Sequence, residues 1–305
     1  MKQLFKWRKK TKWIVGILSL IIIGFSSVLG YYVYQLNQTM DQIYEPVERV
    51  STNIAKEKEK SSTTKTYLIL GVDQRPGDKG RTDGIILAIV NDHTKQITLT
   101  SIPRDTYVEI AGKDYKDKIN HAYQYGIGTT IATVENFTGI PVDHYVMFNL
   151  DGFVKAIDAI GGIRVKVDGS IAKNAQLPGE GEHLLTGEQA LFFSRFRYDS
   201  KGDYGRNDRQ QEVLKAFLDQ SKEVRSPKKI NDLLEILGQD VRTDITKSEM
   251  YSLAKQLNNY SSQQVEQIKY KSTGKRFGPQ NLWYGIITEE ERERVSNELK
   301  KRLSE

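Results

Sequence analysis

The chain has 305 residues, with 45 lysines and arginines against 39 aspartates and glutamates; removing the six basic residues among the first twelve leaves 39 of each. The net charge of +6 therefore belongs to the amino-terminal leader, and the rest gives no reason to expect a nucleic-acid partner. Cysteine is absent, which excludes disulfides, thiol catalysis and thiolate metal sites.

Residues 13–34, WIVGILSLIIIGFSSVLGYYVY, carry no charge, and at about 1.5 Å per helical residue they cross a hydrocarbon core of about 30 Å. Lys2, Lys6, Arg8, Lys9, Lys10 and Lys12 precede this run, and Asp41 and Glu45 follow it. The expected topology is a single-pass membrane anchor, with residues 1–12 cytoplasmic and everything after Tyr34 extracellular. Trp13, Tyr31, Tyr32 and Tyr34 stand where aromatic rings favour the two interfaces. A signal peptide cleaved near Val28-Leu29-Gly30 is the alternative, but this apolar run exceeds the roughly 7 to 15 residues of such peptides.

Residues 35–64 lose apolar periodicity and include most of AKEKEKSSTTK, so they read as an extracellular linker. Beyond them, short apolar runs alternate with amphipathic stretches in the manner of an α/β fold. Strands are expected at 66–72, 85–90, 96–102, 144–149, 163–167 and 265–271. Helices are expected at 128–138, 152–160, 187–195, 206–223, 228–237, 247–257 and 288–303. Asp151 is expected to cap the second helix and Gly161-Gly162 to end it, while Thr186 and Gln189 form a capping box. The architecture read from this pattern is a three-layer α/β/α domain with a mixed central sheet, preceded by one transmembrane helix. Its core is expected at 65–225, and 226–305 as a helical and strand extension packed on it.

Charged residues sit at the ends of these elements. Asp73 ends the first strand, Arg81 and Asp83 open the second, and Arg104 and Asp105 follow the third. Two antiparallel reversals, one through a Gly- and Pro-containing loop and one through NDHTKQ at 91–96, bring these five charges to one rim. Ordinary solvated ion pairs are the competing reading. A second group, SRFRYDSKGDYGRNDRQQ at 194–211, holds Arg195, Arg197, Asp203, Arg206, Asp208, Arg209 and Gln210. At about 100° per residue, Arg206, Gln210, Val213 and Phe217 share one helical stripe, so the apolar face runs into Arg206 and Gln210. An inward arginine at a helix start calls for an anion, either a bound phosphate or a capping acid such as Asp203 or Asp208.

Arginine's planar fork suits phosphate oxygens, and paired carboxylates suit Mg²⁺, which takes one or two protein oxygens and completes its shell with water and phosphate. The four histidines, at 93, 121, 144 and 183, lack zinc-ligand spacing and read singly as surface or packing residues, with His121 in KINHAY the one expected to touch the site. No P-loop, HExxH helix or GxSxG elbow is present. The glycines of YGIGTT at 125–130 open a helix, either plainly or so as to approach an anion.

At these residues the chain resembles the LytR–CpsA–Psr family of bacterial cell-wall enzymes. The resemblance covers about 65–225 and rests on GVDQR, GRTDG, SIPRD, KINHAYQYG, Gly161-Gly162, PGEGEHLLTGEQAL, RFR and DYGRNDRQQ, in that order. It implies transfer of an anionic glycopolymer, such as teichoic acid or capsular polysaccharide, from undecaprenyl pyrophosphate to peptidoglycan by phosphodiester formation. It assigns Asp73 and Asp83 to Mg²⁺, with Mn²⁺ as a substitute. Arg81, Arg104, Arg197, Arg206 and Gln210 go to the pyrophosphate, with Arg195 and Arg209 as neighbours, and Asp83, Asp105 or Asp203 serves as base. A lipid groove is also implied, with Phe192, Phe193, Phe196 and Phe217 as lining or simple core residues. The alternatives are a polyprenyl pyrophosphate hydrolase, a wall-binding module without catalysis, or a transcriptional regulator.

Overall fold

A computed structural model describes residues 27, 30–52, 54, 64–73, 80–198, 202–224, 226–257 and 259–305. Most of the expected membrane span at 13–34 lies outside the described residues, as does 55–63 of the expected linker. Among the described residues no helix is long and apolar enough to cross a membrane.

The amino-terminal part of the expected linker is packed. Helix α1 (residues 30–43) buries Met40 and Ile43, and an extended strap over 44–52 follows it. The Glu45 N–H donates to the Thr243 carbonyl at 2.7 Å, and the Thr52 hydroxyl donates to Glu135 at 2.8 Å. Arg49 donates to the Val142 and Asp143 carbonyls and to Asp244. These partners are remote in sequence, so nothing local announces the packing.

Strands β1 (Thr64–Asp73) and β2 (Arg81–Asn91) run antiparallel. β3 (Gln96–Ser101) returns through a turn in which Lys95 takes a φ of 55°. A small hairpin follows, β4 (Tyr107–Glu109) with β5 (Lys116–Lys118), then a 3-10 segment at Ile119–Tyr125. Helix α2 (Ile127–Thr138) ends at Gly139, whose φ of 70° is the left-handed stop a glycine supplies. β6 (His144–Asn149) lies parallel to β1 and leads into α3 (Leu150–Ile160). The cap of α3 is Asn149, whose Oδ1 accepts the Gly152 N–H at 2.6 Å; Asp151, expected as the cap, lies in the first turn because the helix starts two residues earlier.

Next come β7 (Ile163–Val167), α4 (Gly169–Asn174), β8 (Gly181–Leu185) paired antiparallel to β7, and α5 (Gly187–Arg195), which carries the expected Thr186–Gln189 capping box. Helix α6 (Gly202–Ser221) begins four residues before Arg206, so that arginine sits in the second turn and not the first. α7 (Pro227–Asp240), β9 (Val241–Thr243), α8 (Lys247–Leu257), β10 (Val265–Gln267), the hairpin β11 (Thr273–Phe277) and β12 (Leu282–Ile286), and α9 (Glu289–Ser304) complete the chain.

The central sheet has the order β10-β3-β2-β1-β6-β9 and is mixed: β1–β6 and β3–β10 are parallel, the other pairs antiparallel. Segment 226–305 supplies both edge strands. Alternation along β1 and β2 divides the core. Leu68, Leu70, Ile85, Leu87 and Ile89 meet α2 and α9 on one face, through Ile131, Val134, Val295 and Leu299. Tyr67, Ile86, Ala88 and Val90 meet Leu214 and Leu218 of α6 and Leu253 of α8 on the other. Helices thus cover both faces. Each fully buried Leu or Ile contributes about 1.5–3 kcal/mol, which fixes the register that positions the strand ends. A third cluster joins α3, β7, α5 and α6 through Ile157, Ile163, Val165, Phe193 and Val213.

Candidate active site

The strand ends meet as the reversals require. Gly71 pairs with Gly84, Val72 with Thr82 and Asp73 with Arg81, so Asp83 is the extra residue of a β-bulge. Bulges re-aim side chains next to functional sites. The Asp83 carboxylate receives Arg104, delivered from beyond β3, in a close ion pair. Arg195, the last residue of α5, reaches both acids: its Nη2 lies 3.3 Å from Asp73 Oδ2 and 3.4 Å from Asp83 Oδ2. Two carboxylates from different strands converge on one cationic nitrogen.

Two glycines face each other beside the bulge. Phe148 ring carbons lie 3.5 Å from where a Cβ on Gly71 would stand, and Gln210 Oε1 lies 3.9 Å from the equivalent point on Gly84. Gln210 of α6 is thereby brought beside the bulge. Arg206 and Arg209 are buried in the same helix, at 4% and 5% exposure. Arg209 donates to the Phe196 carbonyl and sits 5.6 Å from that ring, so it also holds the chain just before Arg197. Arg81 and Arg197 are exposed, Arg81 directly opposite Asp73.

Other expected residues go elsewhere. The Asp105 carbonyl accepts the Gly285 N–H at 2.8 Å, and its carboxylate lies against Gly285 of β12. His121 pairs with Asp117 at 2.7 Å. The Asp203 side chain lies outside the described residues. At the start of α2, a Cβ on Gly128 would stand 2.2 Å from the Glu48 carbonyl oxygen, so this glycine admits the strap. Phe193 and Phe196 are buried in the third cluster and Phe217 packs on it, which is core packing; Phe192 is more exposed.

Two supporting residues escape sequence reasoning. Gln211 is buried and donates to the Ser101 hydroxyl at 2.7 Å, tying α6 to the strand that delivers Arg104. The Thr106 hydroxyl donates to the Pro103 carbonyl at 2.6 Å and closes the turn that contains Arg104. A Pro followed three residues later by Thr is a turn signal that could have found the second; Gln211 has only its place beside Gln210.

The arrangement offers two hard oxygen donors and two guanidinium groups in contact with them, those of Arg104 and Arg195. Asp73 and Asp83 already focus on one positive centre, as a small divalent cation would require, and their number matches what such an ion takes from protein. Among the described residues no cluster of three or more His, Asp or Glu has metal-holding geometry.

The description of the LytR_cpsA_psr family matches residues 30–301 of the chain. A relative from Halalkalibacterium halodurans, a polyisoprenyl-teichoic acid–peptidoglycan teichoic acid transferase TagU, is 39% identical over 300 residues, covering 95% of this chain and 96% of its own. A TagU of the same description from Bacillus mycoides is 34% identical over 296 residues, with the same coverage of 95% and 96%. Among solved structures, TagT bound to LI-WTA superposes with a TM-score of 0.71 at 28% identity, over 86% of this chain and 100% of that one.

Proposed function

The chain belongs to the LytR–CpsA–Psr family, and from that premise we propose that it transfers teichoic acid to peptidoglycan. In this reading the donor is a polymer on undecaprenyl pyrophosphate, and the product is a phosphodiester. The observation that carries it is the convergence of Asp73, Asp83, Arg104 and Arg195 at one bulged strand end.

Arg104 and Arg195, steered by the two carboxylates, take the pyrophosphate oxygens, with Arg81, Arg197, Arg206 and Gln210 completing the cradle and Arg209 shaping it. Mg²⁺ or Mn²⁺ held by Asp73 and Asp83 would supply further neutralisation of phosphoryl charge. A wall hydroxyl attacks phosphorus, the bridging P–O bond breaks, and the lipid monophosphate leaves without needing a proton. The hydroxyl proton passes to a carboxylate, with Asp83, Asp105 and Asp203 as the candidates. In this reading the domain acts where peptidoglycan lies, outside the cytoplasmic membrane, anchored by residues 13–34 with the basic leader inside.

The test incubates the full chain in detergent with a lipid pyrophosphate-linked polymer, uncross-linked peptidoglycan and Mg²⁺, and follows polymer attached to glycan. Attachment by wild type, lost in Arg104→Ala, is the expected result. Release of free polymer without attachment would identify a hydrolase.

A further inference from the structure

The hairpin β11–β12 lies outside the rim, yet it is joined to it. The Gly285 N–H donates to the Asp105 carbonyl at 2.8 Å, and Thr106 forms a parallel bridge with Gly285. Arg104, ion-paired with Asp83, is the residue just before Asp105. Register then sorts the hairpin's two faces. Lys275 pairs with Tyr284 and Phe277 with Leu282 on one face, where Phe277 and Tyr284 stack at 4.4 Å and Tyr107 of β4 packs edge-on against both. That face holds the hairpin to the domain.

The opposite face carries Gly274 paired with Gly285 and Arg276 paired with Trp283. Both glycines are slots. A Cβ on Gly274 would stand 1.7 Å from Trp283 Cζ2, so the indole occupies the space above that glycine. A Cβ on Gly285 would stand 3.3 Å from Asp105 Oδ1, so the carboxylate occupies the neighbouring slot. Arg276 sits 5.9 Å from the indole centroid, steadied by donation to the Asn281 carbonyl at 3.0 Å. Trp283 nevertheless remains 45% exposed. No acidic residue occurs from 267 to 288; of the hairpin's bases Arg276 lies on this face and Lys275 on the packed one, and Lys269 just before the hairpin pairs with Asp208 at 2.6 Å.

We infer that this face binds the acceptor glycan strand of peptidoglycan and feeds its hydroxyl toward the rim. The inference rests on the transferase reading for the word acceptor, but glycan binding itself does not need it. The C–H face of a pyranose ring suits the electron-rich indole, the Asp105 carboxylate accepts sugar hydroxyls, and Arg276 pairs with the carboxylates of lactyl and peptide groups. A polyol-phosphate teichoic acid chain fits less well, since its backbone offers the indole no pyranose C–H face. The platform adjoins Asp105, the chain neighbour of Arg104, so it borders the turn that carries Arg104 to the rim.

Trp7, Trp13 and Trp283 are the tryptophans of the chain, so Trp7→Phe with Trp13→Phe in the full chain leaves Trp283 as the sole indole reporter. Titration with soluble, uncross-linked glycan strands is expected to shift its emission saturably, and titration with free teichoic acid polymer is expected not to. In the transfer assay, Trp283→Ala and Arg276→Gln are expected to raise the acceptor KM about tenfold and leave the donor KM unchanged, with Trp283→Tyr recovering most of the loss. Glycan binding by a wild type that transfers nothing would keep this inference and overturn the transferase reading. An emission response to polymer but not glycan, or an acceptor KM unmoved in both variants, would overturn the inference.

Discussion

The strap clamp and the charged rim use the same functional groups in different surroundings. At the clamp, Asp244 accepts the Tyr145 N–H at 2.9 Å and Arg49 at 2.6 Å, while Arg49 also donates to two backbone carbonyls. Burial alone would raise the Asp244 carboxyl, but the His144 ring 3.5 Å away and the hydrogen bonds from Arg49 and the Tyr145 N–H outweigh it and hold the group below the usual aspartate range. At the rim, Arg195 reaches two acids at 3.3 and 3.4 Å through side-chain atoms, and its own side chain is 43% exposed. Contacts anchored in backbone are costly to break and hold structure; the longer contacts of the exposed Arg195 side chain are cheap to exchange for a ligand, while the close Arg104–Asp83 pair beside them keeps the rim in place. Geometry therefore separates an ion cluster that fastens from one that can receive a substrate, although composition does not.

Breaking the rim should cost function. Arg104→Ala is expected to lower reconstituted transfer by at least about 100-fold, as removal of a charge-stabilising donor does, while the unfolding midpoint moves little. A rate within a few-fold of wild type would leave the rim as an ordinary surface cluster. Breaking the clamp should do the reverse. Arg49→Ala is expected to destabilise by about 2 kcal/mol in urea unfolding, a buried-pair loss reduced for the partial exposure of Arg49, with transfer per folded molecule unchanged. If activity fell and stability did not, the two clusters would have exchanged roles.

Acid titration sharpens the same contrast. The Asp244 carboxyl is depressed in the folded state, so its contribution is complete above its ordinary value of 3.8 and is lost as pH falls below it. The wild-type stability profile should fall more steeply there than that of Arg49→Ala; parallel profiles would remove Asp244 from the account. The smallest effect is expected at Glu291, which Arg294 holds at about 2 through hydrogen bonding. Its stabilisation is present above 4.5 and lost between 4.5 and about 2, so Glu291→Gln should cost less than about 1 kcal/mol at neutral pH and flatten only that window.

The sheet centre and the rim were legible because each depends on local signals. Continuous apolar runs marked β1 and β2, the NDHTKQ turn set the second reversal, and together they predicted that Asp73, Asp83 and Arg104 would share an end. The strap was illegible, since Arg49 and Thr52 are polar residues satisfied by partners more than eighty positions away. Three-residue strands such as β4, β5 and β9 are too short for any period to declare itself. Asp105 was expected among the rim charges, but its carboxylate lies against Gly285, 180 residues on and beyond any helical or strand period. The buried face of α6 was read from its stripe, yet Arg209 and Gln211, outside that stripe, are buried too, because the helix is enclosed on more than one side.

The most direct measurement is the single-turnover transfer rate of Asp83→Asn against wild type, at saturating lipid-linked donor and glycan acceptor. A phosphoryl-transfer site at the bulge predicts a fall of at least about 100-fold with cooperative unfolding retained. A rate within about twofold of wild type would contradict it.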